Sequence, residues 1–116
     1  MLRGQFPESG FCVLMTDRIF VTEPLTDGYR WARYRCPGCN EIHSIPIDLT
    51  HQSGRAWGWN GSSELPTFTP SVKHTRKPSS YCCHYFVRDG RIEFCGGCSH
   101  KLVGQAIDLP VLAGDP

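Results

Sequence analysis

Two turns in this sequence carry the side chains with the most chemistry. Cys36-Pro37-Gly38-Cys39 and Cys95-Gly96-Gly97-Cys98 each place two thiols three residues apart with glycine between them. Two thiolates from one tight turn can reach a single ion about 2.3 Å away, and glycine lets the backbone fold around it. Two such turns face to face would make a tetrahedral thiolate site for zinc. A Cys-rich site of this kind is closed and structural more often than catalytic, and the sequence has no His-Glu-x-x-His pattern that would suggest otherwise. Cys36 and Cys39 are the ligands the spacing supports best. Cys98 belongs to the second turn, where Cys83 competes with Cys95 for the remaining place. His43 and His100 also lie close in sequence to the two turns; the plain account of each is a surface or hydrogen-bonded histidine, with His100 an alternative fourth ligand. Cys12 has no such neighbour and reads as a small apolar residue. The cysteines number seven, so a complete disulfide set is impossible, and clustered thiols then point to metal.

The chain around these turns has 116 residues, enough for one domain with a modest core. In a domain of that size, metal-binding energy is folding energy. The formal net charge of +1 argues against a strongly basic nucleic-acid surface. A basic stretch from Lys73 to Lys77, and Arg30, Arg33 and Arg35 beside aromatics, are read as solvated faces. No apolar stretch approaches the roughly 18 residues that cross a bilayer. Behind Met-Leu-Arg-Gly-Gln there is no apolar signal core. The expected location is the cytoplasm.

The elements that must position the thiols are strands. Nine prolines and twelve glycines interrupt the chain, and no long segment keeps a 3.6-residue apolar period. Phe11 to Val21 reads as one long strand or two short ones. In Tyr29 to Arg35, Tyr29, Trp31 and Arg33 fall on one face and Ala32 and Tyr34 on the other. His43 to Leu49 puts Ile45, Ile47 and Leu49 on one side, with Pro46 suggesting an edge or a bulge. Thr50 to Ser63 reads as a long loop anchored by Trp57 and Trp59. Thr67 to Val72 is a short strand interrupted by Pro70, and His74 to Ser80 a polar loop.

The clearest hairpin is Tyr81 to Phe94 around Asp89-Gly90. Its turn sets a register of Arg88 with Arg91, Val87 with Ile92 and Tyr85 with Phe94. Cys83, Tyr85, Val87, Ile92 and Phe94 then face the core, and Cys82, His84, Phe86, Glu93 and Cys95 face away. A last strand is expected from Leu102 to Leu109. The fold class is mostly β: a small single-domain antiparallel sheet built from hairpins and stapled by zinc. Residues 1–30 form an N-terminal strand segment of the same domain, 31–109 the zinc-stabilised core and 110–116 a loose tail.

The order Cys36-Pro37-Gly38-Cys39, His43, Pro66-Thr67-Phe68-Thr69-Pro70-Ser71, Cys83-His84 and Cys98-Ser99-His100 resembles a family of small uncharacterised Cys/His proteins of phages, prophages and bacteria. The resemblance runs from about Tyr34 to Leu109. Some members stand beside bacterial ubiquitin-like conjugation genes, which implies a peptidase that matures or removes a ubiquitin-like modifier. The family pattern keeps a serine and a histidine that match Ser71 and His84. It does not require a cysteine matching Cys95, which favours Cys83 as a ligand.

On that resemblance, Ser71 is the expected nucleophile and His84 its base, with His43 orienting or sharing the proton. Pro70 would stiffen the backbone before the serine. Trp57 and Trp59 could line a groove for an extended peptide. The alternative is a non-catalytic zinc module that binds another protein.

Overall fold

A computed structural model describes residues 16–26, 28–49 and 55–112. Among the described residues there are nine strands and no α-helix. They are β1 (Phe20–Val21), β2 (Arg30–Cys36), β3 (Glu41–Asp48), β4 (Trp57–Trp59), β5 (Phe68–Thr69), β6 (Val72–Arg76), β7 (Tyr81–Arg88), β8 (Arg91–Phe94) and β9 (Ala106–Asp108). They form a five-stranded sheet, β1-β2-β3-β4-β5, and a four-stranded sheet, β6-β7-β8-β9. All neighbours are antiparallel except β3 and β4, which run parallel. The domain is mostly β, as the sequence suggested, with its antiparallel pairing divided between two sheets around one core.

The buried faces follow the alternation of the strands. Ala32, Tyr34 and Cys36 of β2 and His43, Ile45 and Ile47 of β3 meet Val72, Cys83, Tyr85, Val87, Ile92 and Phe94 from the second sheet. At the centre the hydroxyls of Tyr34 and Tyr85 lie 2.6 Å apart, joining the sheets, and Tyr85 Oη continues to His74 Nε2 at 3.0 Å. Burial holds both phenols well above the usual tyrosine range, so they stay protonated.

The hairpin has the register that its turn predicts, including Arg88 with Arg91 and Tyr85 with Phe94. Asp89 and Gly90 both have positive φ, 49° and 79°, the mirror-image turn that matches strand twist. Pro46 lies in a stretch of β3 paired only with β2, since β4 reaches only Ile47 and Asp48. Leu49 lies beyond the strand and is exposed.

Three expectations change. Trp57–Trp59 forms a strand within the segment read as loop, because β4 bridges β3 and β5. His74 to Arg76 continues β6 instead of starting a loop, because each residue pairs with β7. The last strand is only Ala106–Asp108, since Lys101 to Gly104 form a turn. Of the strand expected from Phe11, Phe20–Val21 is observed and Phe11 to Met15 lie outside the described residues. Residues 113–116 of the expected tail lie outside them too, while Leu112 N–H donates to Asp17 O at 2.8 Å.

The loop from Asn60 to Thr67 sets the entry to β5. Asn60 Oδ1 accepts from the N–H groups of Ser62 and Thr67, both at 3.1 Å, and its Nδ2 donates to Leu65 O at 3.0 Å. The loop docks on the hairpin turn: Gly90 N–H donates to Pro66 O and Asp89 N–H to Thr67 Oγ1, each at 2.9 Å. Ser71 thus emerges from a segment tied to the tip of the hairpin that carries His84.

Candidate functional site

Ser71 lies between β5 and β6, and His84 lies in β7 opposite Lys73. Val72 and Cys83 point into the core, so Ser71 and His84 project from the outer face of the four-stranded sheet. There Ser71 Oγ and His84 Nε2 are 3.0 Å apart, hydrogen-bond distance for a hydroxyl and its base. Both residues are partly buried.

Each partner is held from behind. The indole N–H of Trp57 donates to Ser71 O at 3.0 Å. The Cys95–Ser99 turn clasps the backbone of β7 around the histidine. His84 O accepts from Cys95 N–H at 2.8 Å and from the Cys98 thiol at 3.1 Å, and His84 N–H lies 3.3 Å from Cys98 Sγ. Ser99 N–H donates to Cys82 O at 2.8 Å, and Cys82 N–H donates to Ser99 Oγ at 3.0 Å.

On the inner face of the same strand is a thiol cluster. The ligand atoms of Cys36, Cys39, His43 and Cys83 all lie within 4.8 Å of one another. Cys36 Sγ and Cys83 Sγ are 3.8 Å apart, close to the edge of a tetrahedron with zinc–sulfur bonds of about 2.3 Å. His43 Nε2 is buried and has no hydrogen-bond partner among the described residues, a cost that a cation could remove. Hydrogen bonds back the thiols: Tyr81 Oη donates to Cys39 Sγ at 2.9 Å and Cys39 N–H to Cys36 Sγ at 3.3 Å. Arg76 lies over the Tyr81 ring and pairs with Glu41. The donor set and its surroundings fit zinc.

The cluster's electrostatics agree. The Cys83 thiol beside it pulls Cys36 down to about 4, against the opposing effect of burial, with His43 assisting. The same contact, with burial, drives Cys83 far up. One thiolate held by a neighbouring thiol is the protonated form of a site that a divalent ion would deprotonate further.

A second group, Cys83, Cys98 and His100, shares Cys83 with the first. His100 Nε2 lies 3.4 Å from Cys83 Sγ, and its ring covers Gly38 so closely that a Cβ there would stand 2.2–2.5 Å from ring atoms. The two turns do meet, but through Gly38 and His100. Cys95 joins neither group. The structure brings Ser71 and His84 together and places His43 with the thiols, stacked on His74 at 3.9 Å between ring centroids.

Trp57 and Trp59 spend their indole N–H groups internally, on Ser71 O and Ser62 O. A groove of about 560 Å³ is lined by Tyr29, Arg30, Ile47, Leu49 and Trp59 among others, but has neither Ser71 nor His84 in its wall. Trp57 as a prop for the serine and Cys98 as a clasp for the histidine backbone were not legible as such, because both act through main-chain atoms that leave no spacing motif.

The class is therefore a small all-β domain with a Ser–His pair on the outside of one sheet and a Cys/His cluster able to hold a metal on the inside. Residues 12–95 match the family described as bacterial ubiquitination-like system serine protease (BubE), and the chain belongs to that family. The match begins well before Tyr34, where the resemblance in sequence starts, and stops short of Cys98 and His100. No curated protein and no solved structure matches the chain. Among the described residues, no helix is long and apolar enough to cross a membrane.

Proposed function

We propose that this chain is a zinc-stabilised serine peptidase that processes or removes a ubiquitin-like protein modifier. The observation that carries the reading is the 3.0 Å contact between Ser71 Oγ and His84 Nε2, on a chain of a serine-protease family. Ser71 Oγ attacks the carbonyl of the scissile amide or ester while its proton passes to His84 Nε2. His84 returns that proton to the leaving group, and the acyl-serine is then hydrolysed by water that His84 deprotonates. Ser71 N–H, which has no hydrogen-bond partner among the described residues, is left to donate to the developing oxyanion. The clasp at Cys95–Ser99 fixes the position of the base, and Trp57 fixes that of the nucleophile.

Zinc is a structural ion in this reading, held by Cys36, Cys39, Cys83 and His43, and its chemistry is to bind thiolates and so tie β2, β3 and β7 together. His43 serves the ion and not the proton transfer. The partner is a protein modifier reached in the cytoplasm.

The test is labelling with a small alkyl fluorophosphonate. The zinc-loaded protein should be labelled at Ser71, and Ser71→Ala and His84→Ala should both abolish labelling. Folded, zinc-loaded protein that takes no label would favour a non-catalytic binding module.

A further inference from the structure

Ser71 stands where the chain leaves the edge of one sheet for the edge of the other. β5 is the outer strand of the five-stranded sheet and β6 of the four-stranded sheet. Which backbone groups of β6 point outward follows from hydrogen-bond alternation. Cys95 N–H donates to His84 O, so His84 faces β8 and its neighbours Cys83 and Tyr85 face β6. Their partners His74 and Val72 are therefore committed to β7. Lys73 and Thr75, the intervening residues, direct N–H and C=O away from the sheet. Ser71 shares their phase, and its carbonyl is met from the outer side by the Trp57 indole. Among the described residues nothing is hydrogen bonded to the backbone of Lys73 or Thr75.

We propose that this edge of β6 receives the extended tail of the substrate as an added strand, hydrogen bonded to Lys73 and Thr75, and so delivers the scissile carbonyl to Ser71. The proposal rests on the serine-peptidase reading and gives it a substrate class: an extended, unstructured peptide segment. Two features favour this occupant. The free edge begins two residues from the nucleophile and, at about 3.3 Å per residue, Thr75 lies about 13 Å along it, the reach of a four-residue tail. Lys73 and Lys77 leave the edge positive, since Arg76 is paired with Glu41. Neutral or acidic tails fit that edge, and basic ones are disfavoured. Main-chain pairing of this kind gives affinity without a deep pocket, consistent with a dyad outside the groove that Trp59 lines.

The experiment compares three probes on the full chain: a small alkyl fluorophosphonate, the diphenyl ester of an acetylated Ala-Glu-Ala aminomethylphosphonate, and the single-residue analogue of that ester. In the wild type the peptidyl probe should react about tenfold faster relative to its single-residue analogue, the effect of one or two added hydrogen bonds. N-methylation of successive peptide nitrogens should remove the advantage at alternate positions only. Thr75→Pro removes an outward N–H, which an edge strand tolerates, and should lower the ratio of peptidyl to small-probe rates about tenfold. A flat methylation profile, or an unchanged ratio in Thr75→Pro, overturns the proposal while leaving the dyad intact. Failure of the small probe on the wild type overturns the dyad itself. An edge occupied by a second copy of the chain would appear as a dimer that Thr75→Pro converts to monomer, and also overturns it.

Discussion

Cys83 and His84 are successive residues of β7 whose side chains leave the sheet on opposite sides. The Cys83 thiol lies 3.8 Å from Cys36 Sγ inside the fold, and the His84 imidazole lies 3.0 Å from Ser71 Oγ outside it. One strand therefore carries both a thiol of the inner cluster and the imidazole beside Ser71. On the proposed function, metal loading and the alignment of the base are linked through a single peptide unit.

That linkage separates two kinds of variant. Cys83→Ser should lose zinc and fluorophosphonate labelling together, and Cys36→Ser should be insoluble or unfolded. Ser71→Ala should lose labelling while keeping about one zinc per chain and its melting temperature. Cys95→Ser, outside both clusters, should retain the ion. Elemental analysis beside labelling decides the matter, and a zinc-free Cys95→Ser protein would move that residue into the ligand set.

Gly38 tests how the two cysteine turns meet. A methyl group there would stand 2.2–2.5 Å from His100 ring atoms, so the ring must leave its place over Cys36–Cys39. Gly38→Ala should cost about 1–3 kcal/mol, the usual range for overpacking, with urea unfolding of the zinc-loaded proteins as the measurement. The same variant with His100→Ala should recover most of the loss.

Trp57 should matter to rate and not to folding of the metal site. Its indole N–H holds Ser71 O at 3.0 Å. Trp57→Phe keeps a ring but drops that hydrogen bond, and should slow labelling about tenfold through misplacement of the nucleophile, with zinc content unchanged. An unaltered labelling rate would show that Ser71 is held by its neighbours without the indole.

Much of this was readable in the residues because it is local. The Asp89-Gly90 turn dictates its own register, and alternation in Tyr81–Arg88 assigns Cys83 inward and His84 outward. What the chain could not disclose is long-range. Trp57-Gly58-Trp59 has the composition of a loop, yet β3 and β5 recruit it as a strand. His74–Arg76 is polar enough to read as loop because it lies at an edge, where one face of the strand is wet. The identity of the thiol group depends on which turn meets which strand. Spacing alone pairs two like turns, whereas the fold sets Cys36 and Cys39 against His43 and Cys83.

The hydroxyl chain through the core has an order that can be measured. Tyr85 Oη contacts both Tyr34 Oη at 2.6 Å and His74 Nε2 at 3.0 Å. With neutral His74 accepting, Tyr85 donates to the imidazole and accepts from Tyr34. Tyr85→Phe strands the buried Tyr34 hydroxyl and the partly buried His74 imidazole and should cost about 2–3 kcal/mol, whereas Tyr34→Phe leaves Tyr85 its acceptor and should cost about 1 kcal/mol. Denaturant unfolding of the two variants checks the ranking, and equal losses would mean that the chain does not run through Tyr85.

His74 gives the fold an acid limit. Burial, with His43 beside it, lowers its pKa from 6.5 to about 4. Below pH 6.5 the unfolded chain takes up a proton on His74 that the folded chain refuses until about pH 4. Unfolding is therefore favoured progressively across that window, and the full contribution to stability is present only above 6.5. Because the residue is only partly buried, the loss should be about 1–2 kcal/mol after solvent screening. His74→Phe keeps a ring against His43 but cannot titrate. It gives up the bond from Tyr85 at every pH, a constant offset. The thiol cluster is present in both proteins, so their difference reports His74 together with its coupling to His43. Relative to the wild type, the stability of His74→Phe should therefore rise by that 1–2 kcal/mol between pH 7 and pH 4.5, measured by urea unfolding. Parallel curves would mean that His74 takes its proton equally well in both states.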